Sequence, residues 1–436
     1  MSVFLPNFAC VTRFKWRLTA VTVGLAVAAL VGGGYVAARA AEPAAAPPIK
    51  IGLSMSLTGP LAANGKSALL AMQIWATDVN AKGGLLGRPV KLVYYDDQSN
   101  PSTVPGIYTK LLDVDHVNLV VSGYATNMIA PAMPIVIAHN VLFLSLFGLA
   151  VNHQFHYPKY FTMTPTGPNP ALDSTRGFFE IAAAQKPKPE TLAIIAADAE
   201  YPRTSAVGVR QHAKNFGFKI VYDRTYPPDT VDYTPIVRAV QATNPDIVFV
   251  ASYPPDSVGM VRAANELGLK TKLFGGGMVG LQTTSIKLQL GPLLNGIVNY
   301  DFWFPAPTML FPGVLAFLQK YQARAAGEGV DPLGYYLGPW AYAYMQVLGQ
   351  GITGAGGLNQ DKVADYIRTH TFKTVMGDIK FGKDGELAES RSIFVQYQHL
   401  KGHGLDQFKG GKEPVVLWPA KYKDGNIIYP YDEART

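Results

Sequence analysis

The segment DVNAKGGLLGRPVKLVYYDDQSNP, residues 78–101, decides how the chain is read. Its first part closes a helix. Residues 66–79 carry Leu69, Leu70, Met72, Ile74 and Val79 at helical spacing, and Gly83 and Gly84 can take the positive φ that ends such a helix. Its second part, PVKLVYYDD, is a strand that runs into turn residues. Asp96 and Asp97 then pose a choice between a catalytic or metal-binding pair and a strand end entering a loop. Vicinal residues on a strand point to opposite faces, which suits a working pair poorly. Asp and Asn ahead of Pro101 can instead bond the local backbone and start a turn. The expectation is a structural role for both carboxylates.

Outward from this segment the same alternation continues. IKIGLSMSL (49–57) reads as a buried strand and TGPLAANG as a loop. A helix at 103–113, the strand VNLVVSG, a helix at 127–138 and the strand VLFLSLFG follow. KYFTMTPT (159–166) is a crossing segment, after which strands and helices alternate again through TLAIIAAD, FKIVYDRTY, DIVFVASY and KLFGGG. Short buried strands between helices imply parallel sheets covered on both faces. The last third is mixed, with helices expected at 313–326, 338–349 and 361–369, then strand, turn and strand in TVMGDIKFGKDGE, with the turn at Lys383-Asp384-Gly385. The fold class is α/β, with two doubly wound parallel-sheet lobes.

Composition narrows the class. The 436 residues are 48% hydrophobic and 16% charged, as in a folded globular chain of two or three domains. Arg13, Lys15 and Arg17 precede an apolar run at 18–36, and Ala38-Arg39-Ala40 offers small residues where a signal peptidase reads. The expectation is a signal peptide over 1–40, cleaved after Ala40, then a flexible spacer over 41–48; the alternative is an uncleaved anchor. Cys10 is the only cysteine and lies before the apolar run, so a cleaved chain has no disulfide, thiol nucleophile or thiolate metal site. Four of the 38 Lys and Arg residues and none of the 31 Asp and Glu residues fall in 1–40, so cleavage lowers the net charge from +7 to +3. Basic residues are scattered, and no nucleic-acid stripe forms.

Taken in order, IKIGLSMSLTGPLAANG, the 78–101 segment, YPPDTVDYTPIVRAVQATNPDIVFVASYPPDS and TVMGDIKFGKDGE resemble the type I periplasmic binding proteins of the branched-chain amino acid (Leu/Ile/Val-binding) ABC transporters. The resemblance spans nearly all of 49–400. It implies two lobes joined by three crossing strands, placed near 161–165, 297–302 and 375–381, with a small ligand trapped between the lobes as they close. Lobe 1 is expected over 49–161 with 300–375, and lobe 2 over 162–299 with 376–436. Binding at the C-terminal ends of strands agrees with the physics of open α/β sheets.

The resemblance also implies site residues. In SGYATN, Thr126 matches a family position whose hydroxyl holds the ligand carboxylate, with Tyr124 and Ala125 before it; a plain helix cap is the compatible alternative. In LSLFGLAVN, Phe147, Gly148 and Leu149 replace the family's small residues and threonine, which removes a donor, adds bulk and puts leucine, isoleucine or valine in doubt as ligand. Phe147 as plain core is the alternative. Tyr201 can cover or stack on a ligand, and Tyr253 lines the same cleft. Asp256 matches an acid that pairs with the ligand ammonium, against the alternative of a helix cap. Asn64 and Met278 complete the set.

Other motifs lead nowhere. His153 and His156 lack a further metal ligand, Gly275-Gly276-Gly277 lacks the residues of a phosphate loop, and no nucleophile elbow is present. No enzymatic activity, cofactor, metal or nucleic acid is expected. The expected function is that of an exported, periplasmic, monomeric receptor that delivers an amino acid or a similar small carboxylate or amide to a membrane permease. A ligand sensor reporting to a regulator is the alternative, followed by a periplasmic enzyme.

Overall fold

The computed structural model describes residues 46–435. The expected signal peptide, Cys10 and most of the spacer lie outside them. Among the described residues no helix is long and apolar enough to cross a membrane.

Two sheets organise the chain. The first holds β1 (Ile49–Met55), β2 (Val90–Asp96), β3 (Leu119–Val121), β4 (Phe143–Ser145) and β5 (Tyr160–Thr162), all parallel, in the order β2-β1-β3-β4-β5. The second holds β6 (Thr191–Ala197), β7 (Lys219–Tyr226), β8 (Ile247–Ser252), β9 (Leu273–Met278) and β10 (Val298–Asp301), again parallel. The strands β11 (Phe372–Thr374) and β12 (Gly377–Ile379) pair apart as an antiparallel hairpin. Two late strands, β13 (Ile393–Gln396) and β14 (Val415–Trp418), then extend the second sheet antiparallel beyond β10.

Burial follows position in the sheets. Central strands such as β8 and β9 are buried at every residue, so their sequences are apolar or glycine except for Ser252 at the end of β8, whose hydroxyl bonds Ser257 Oγ at 2.9 Å. The edge strand β2 is only partly buried, and its Tyr94 is exposed. The helix Ala62–Asn80 ends at a right-handed cap, Ala81, and the chain turns away just beyond it where Gly83 and Gly84 adopt φ +95° and +80°; a Cβ on Gly84 would lie 1.9 Å from the Arg88 carbonyl oxygen.

The Asp96–Asp97 pair clasps two loops. Asp97 is buried and accepts from Ser54 Oγ at 2.8 Å, Ser56 Oγ at 2.6 Å and the Ser99 amide at 2.9 Å. Asp96 accepts from Thr58 Oγ1 at 2.7 Å and from the amides of Leu57, Thr58 and Gln98. Burial alone would push Asp96 up, but these bonds outweigh it and hold its carboxyl below the ordinary value. Both side chains therefore tie the end of β2 to the loop after β1.

The chain passes between the sheets three times. After β5 it continues through 163–169 to the helices that cover the second sheet. After β10 it returns through 302–313 to the helix Val314–Glu328, where Tyr321 Oη meets Ser67 Oγ of Ala62–Asn80 at 2.7 Å. The third pass differs from expectation. β11 and β12 form the hairpin, the Lys383–Gly385 turn is closed by the Phe381–Leu387 bridge and by the Gly382 amide donating to the Glu386 carbonyl at 2.7 Å, and the Gly385 carbonyl still accepts from the Thr162 amide of β5. The chain crosses later, where the Arg391 amide and Ser392 Oγ both donate to the Pro165 carbonyl at 2.8 and 3.0 Å.

Candidate ligand-binding site

A cavity lies where the C-terminal ends of both sheets face each other. The loop after β3 brings Tyr124, Ala125 and Thr126, and the loop after β4 brings Phe147 and Leu149. The opposite wall carries Tyr201, Tyr253, Val279 and Tyr300, while Thr164, Thr166, Ser174, Phe302 and Tyr336 close the sides. Gly123 lets the first loop sit directly on β1, since a Cβ there would fall 2.2 Å from the Ser54 carbonyl oxygen. Ala125 follows at φ +82° and ψ 139°, a conformation that strains any residue with a Cβ.

Aromatic side chains dominate the walls. Phe147 packs against Phe302, Tyr336, Tyr124 and Trp340 at centroid distances of 5.0 to 6.3 Å. It is both core and lining. Tyr336 stacks on Phe302 at 5.8 Å, and Tyr201 contacts Tyr253 and Tyr300. The hydroxyls are tied down. Tyr124 Oη and Tyr336 Oη are 3.3 Å apart, Tyr201 Oη donates to the Gly277 carbonyl at 3.1 Å, and Tyr253 Oη donates to Asn127 Oδ1 at 2.9 Å. Burial pushes all five tyrosine hydroxyls above their ordinary range, so each stays a neutral donor at neutral pH.

No lining side chain carries a charge. The polar groups left for a ligand are hydroxyls. Thr126 Oγ1 accepts from the Leu149 amide at 3.0 Å, which leaves its own proton to donate. Thr166 Oγ1 is buried with no hydrogen-bond partner in the protein. The cavity measures about 40 Å³, far below the ~150 Å³ that admits a benzene ring. A ring-sized molecule does not fit the cavity as it stands.

Four expected site residues lie elsewhere. Asp256 is buried in the first turn of Pro254–Glu266 and accepts from Tyr226 Oη and Tyr233 Oη, each at 3.1 Å. Burial pushes its carboxyl up while the tyrosine bonds pull it down. Two phenols thus occupy the acid that was expected to meet an ammonium. Gly148 packs under Tyr160, whose Oη would lie 2.6 Å from an added Cβ. Met278 is fully buried beside Val279, which takes the wall position. Asn64 lines a separate small cavity with Gln282, Thr283 and Tyr336. Thr164, Thr166, Ser174, Val279, Tyr300, Phe302 and Tyr336 were not expected; the aromatic run YDFWF at 300–304 was the available signal for two of them.

Comparison with known proteins agrees with this architecture. Residues 48–404 match the model of a family described as periplasmic binding protein. The Leu/Ile/Val-binding protein homolog 8 of Brucella suis is 26% identical over 381 residues, covering 84% of this chain and 93% of the relative. Among solved structures, the LivJ substrate-binding protein from Streptococcus pneumoniae in complex with isoleucine superposes with TM-score 0.69 at 18% identity, over 85% of this chain and 100% of that one. A solute-binding protein from Rhodopseudomonas palustris in complex with 3,4-dihydroxybenzoic acid gives TM-score 0.68 at 16% identity, over 82% and 94%. Both are likenesses of fold.

Proposed function

The chain belongs to the type I periplasmic binding protein family, and we propose that it is an exported receptor that captures a compact aromatic carboxylate, or the matching amide, and passes it to an ABC importer as its lobes close. Solute binding of the branched-chain amino acid ABC transport type is the family's work. The ligand class is the further step. One observation carries it: the cavity has seven aromatic side chains and no ionised one, while its free polar groups are hydroxyl donors. Such donors suit an anion, which gains from short charge-assisted bonds. An ammonium buried there would lack the carboxylate it needs, because Asp256 is held by Tyr226 and Tyr233.

In this reading the ligand carboxylate accepts from Thr126 and Thr166, and its ring lies among Tyr124, Phe147, Tyr201 and Tyr253. Closure then follows from differential binding, since the ligand touches both lobes only when they meet. The R. palustris protein with 3,4-dihydroxybenzoic acid supports the idea that this fold accommodates such a ligand. The names of the sequence relatives favour a second reading, an aliphatic amino acid. Calorimetry on the chain, unfolded and refolded to strip carried-over ligand, separates them. Binding of benzoate or 3,4-dihydroxybenzoate without leucine or isoleucine supports the aromatic reading; the reverse order of affinities rejects it.

A further inference from the structure

The small cavity beyond Tyr336 contains an unusual concentration of idle acceptors. Asn64, near the start of the helix Ala62–Asn80, comes from the first lobe, while Gln282 and Thr283 follow β9 of the second. All three are at least nine-tenths buried, and Asn64 Oδ1, Gln282 Oε1 and Thr283 Oγ1 have no hydrogen-bond partner in the protein. Buried acceptors without a donor are costly and rare. Asp331 lines the same cavity but is already engaged, accepting from Thr284 N and Oγ1 at 2.7 Å, Gly334 N at 2.8 Å and Leu333 N at 3.0 Å. What remains is two neutral amide oxygens, which only accept, and the Thr283 hydroxyl, which can accept as well as donate.

This cavity adjoins the aromatic one. Tyr336 lines both. Gln282 Nε2 also donates to the carbonyl of Tyr300, another wall residue of the aromatic cavity, at 2.8 Å. Its volume of about 10 Å³ is on the scale of one water-sized heavy atom.

We infer that the Asn64–Gln282–Thr283 cavity is the far end of the ligand site and takes a neutral N–H or O–H donor carried by the aromatic ligand opposite its carboxylate. The inference rests on the aromatic-carboxylate reading above. Because the acceptors come from both lobes, such a donor completes its bonds only in the closed state and so selects for closure.

The test uses four acids on the stripped chain: benzoate and 4-methoxybenzoate, which have no donor at that end, and 4-hydroxybenzoate and 4-aminobenzoate, which do. The donor-bearing pair binds about tenfold or more tightly than the other two, the scale of one well-made hydrogen bond to a buried acceptor. In Asn64→Leu and in Thr283→Val that ratio falls to within about threefold, with thermal melting confirming that each variant is folded. Equal affinities for all four acids, or a tenfold ratio that survives both substitutions, overturn the inference and leave the aromatic reading standing. If none of the four binds, the aromatic reading falls and takes the inference with it.

Discussion

Tyr253 and Asn127 join the two sides of the cleft through one hydrogen bond, from Tyr253 Oη to Asn127 Oδ1 at 2.9 Å. Tyr253 caps the helix Pro254–Glu266, and Asn127 lies in Thr126–Ile129 across the cavity. The bond exists only when the sides are together, so it favours the closed arrangement by about 1 kcal/mol. Tyr253→Phe keeps the ring and loses the bond. Ligand affinity by calorimetry should fall about fivefold, and small-angle scattering of the ligand-free variant should show a larger radius of gyration. An unchanged affinity would remove this contact from the closing mechanism.

Asp256 should prove structural. Asp256→Asn keeps an acceptor for Tyr226 and Tyr233 and leaves the cavity untouched, so affinity should stay within about twofold. The pH dependence of stability should change instead. Burial raises the folded carboxyl above its ordinary value of 3.8. It therefore favours folding below that pH and withdraws this contribution as pH rises through the folded value. Urea unfolding at pH 4 and pH 7 should show a smaller loss across that interval in the variant.

Ala125 holds φ +82° at the cavity wall. Glycine accepts this backbone without strain, so Ala125→Gly should raise the unfolding free energy by ~1 kcal/mol once the greater freedom of the unfolded chain is subtracted. The loop should also lose preorganisation, and affinity should fall while stability rises. A variant less stable than the parent would show that the Ala125 conformation is not strained.

Glu386 is buried, and neither carboxyl oxygen has a partner. Burial, reinforced by Asp384, pushes it well above the ordinary value of 4.5. The folded chain thus keeps a proton that the unfolded chain releases, and stability declines as pH rises from about 4.5 toward the folded value. Glu386→Gln should stabilise the chain at pH 7 by ~1–3 kcal/mol and flatten its stability between pH 5 and pH 8. Calorimetric melting across that range checks both effects.

The elements that carry a local signal were legible in the sequence. The helix Ala62–Asn80 and strands β1 and β2 each show their own periodicity, and the turn chemistry after Asp97 is contained in six consecutive residues. Tyr124, Ala125, Thr126, Phe147, Leu149, Tyr201 and Tyr253 were named through the family resemblance, and their place at the cavity agrees with ligands sitting where parallel strands end. Tyr336 was not, since it reaches the cavity from a segment 212 positions after its partner Tyr124. Asp256 misled for a related reason. Its position in the first helical turn is visible in sequence, but Tyr226 and Tyr233, which occupy it, lie on other elements. The third pass was placed early because the β11–β12 hairpin resembles a crossing in pattern while pairing only with itself.

The most direct test compares phenylalanine with 3-phenylpropanoate, two ligands that differ only by the α-ammonium, in calorimetric titrations of the stripped chain. The aromatic cavity without a free carboxylate predicts that 3-phenylpropanoate binds about tenfold or more tightly than phenylalanine. Tighter binding of phenylalanine, lost in Asp256→Asn, would contradict the account and return Asp256 to the ligand.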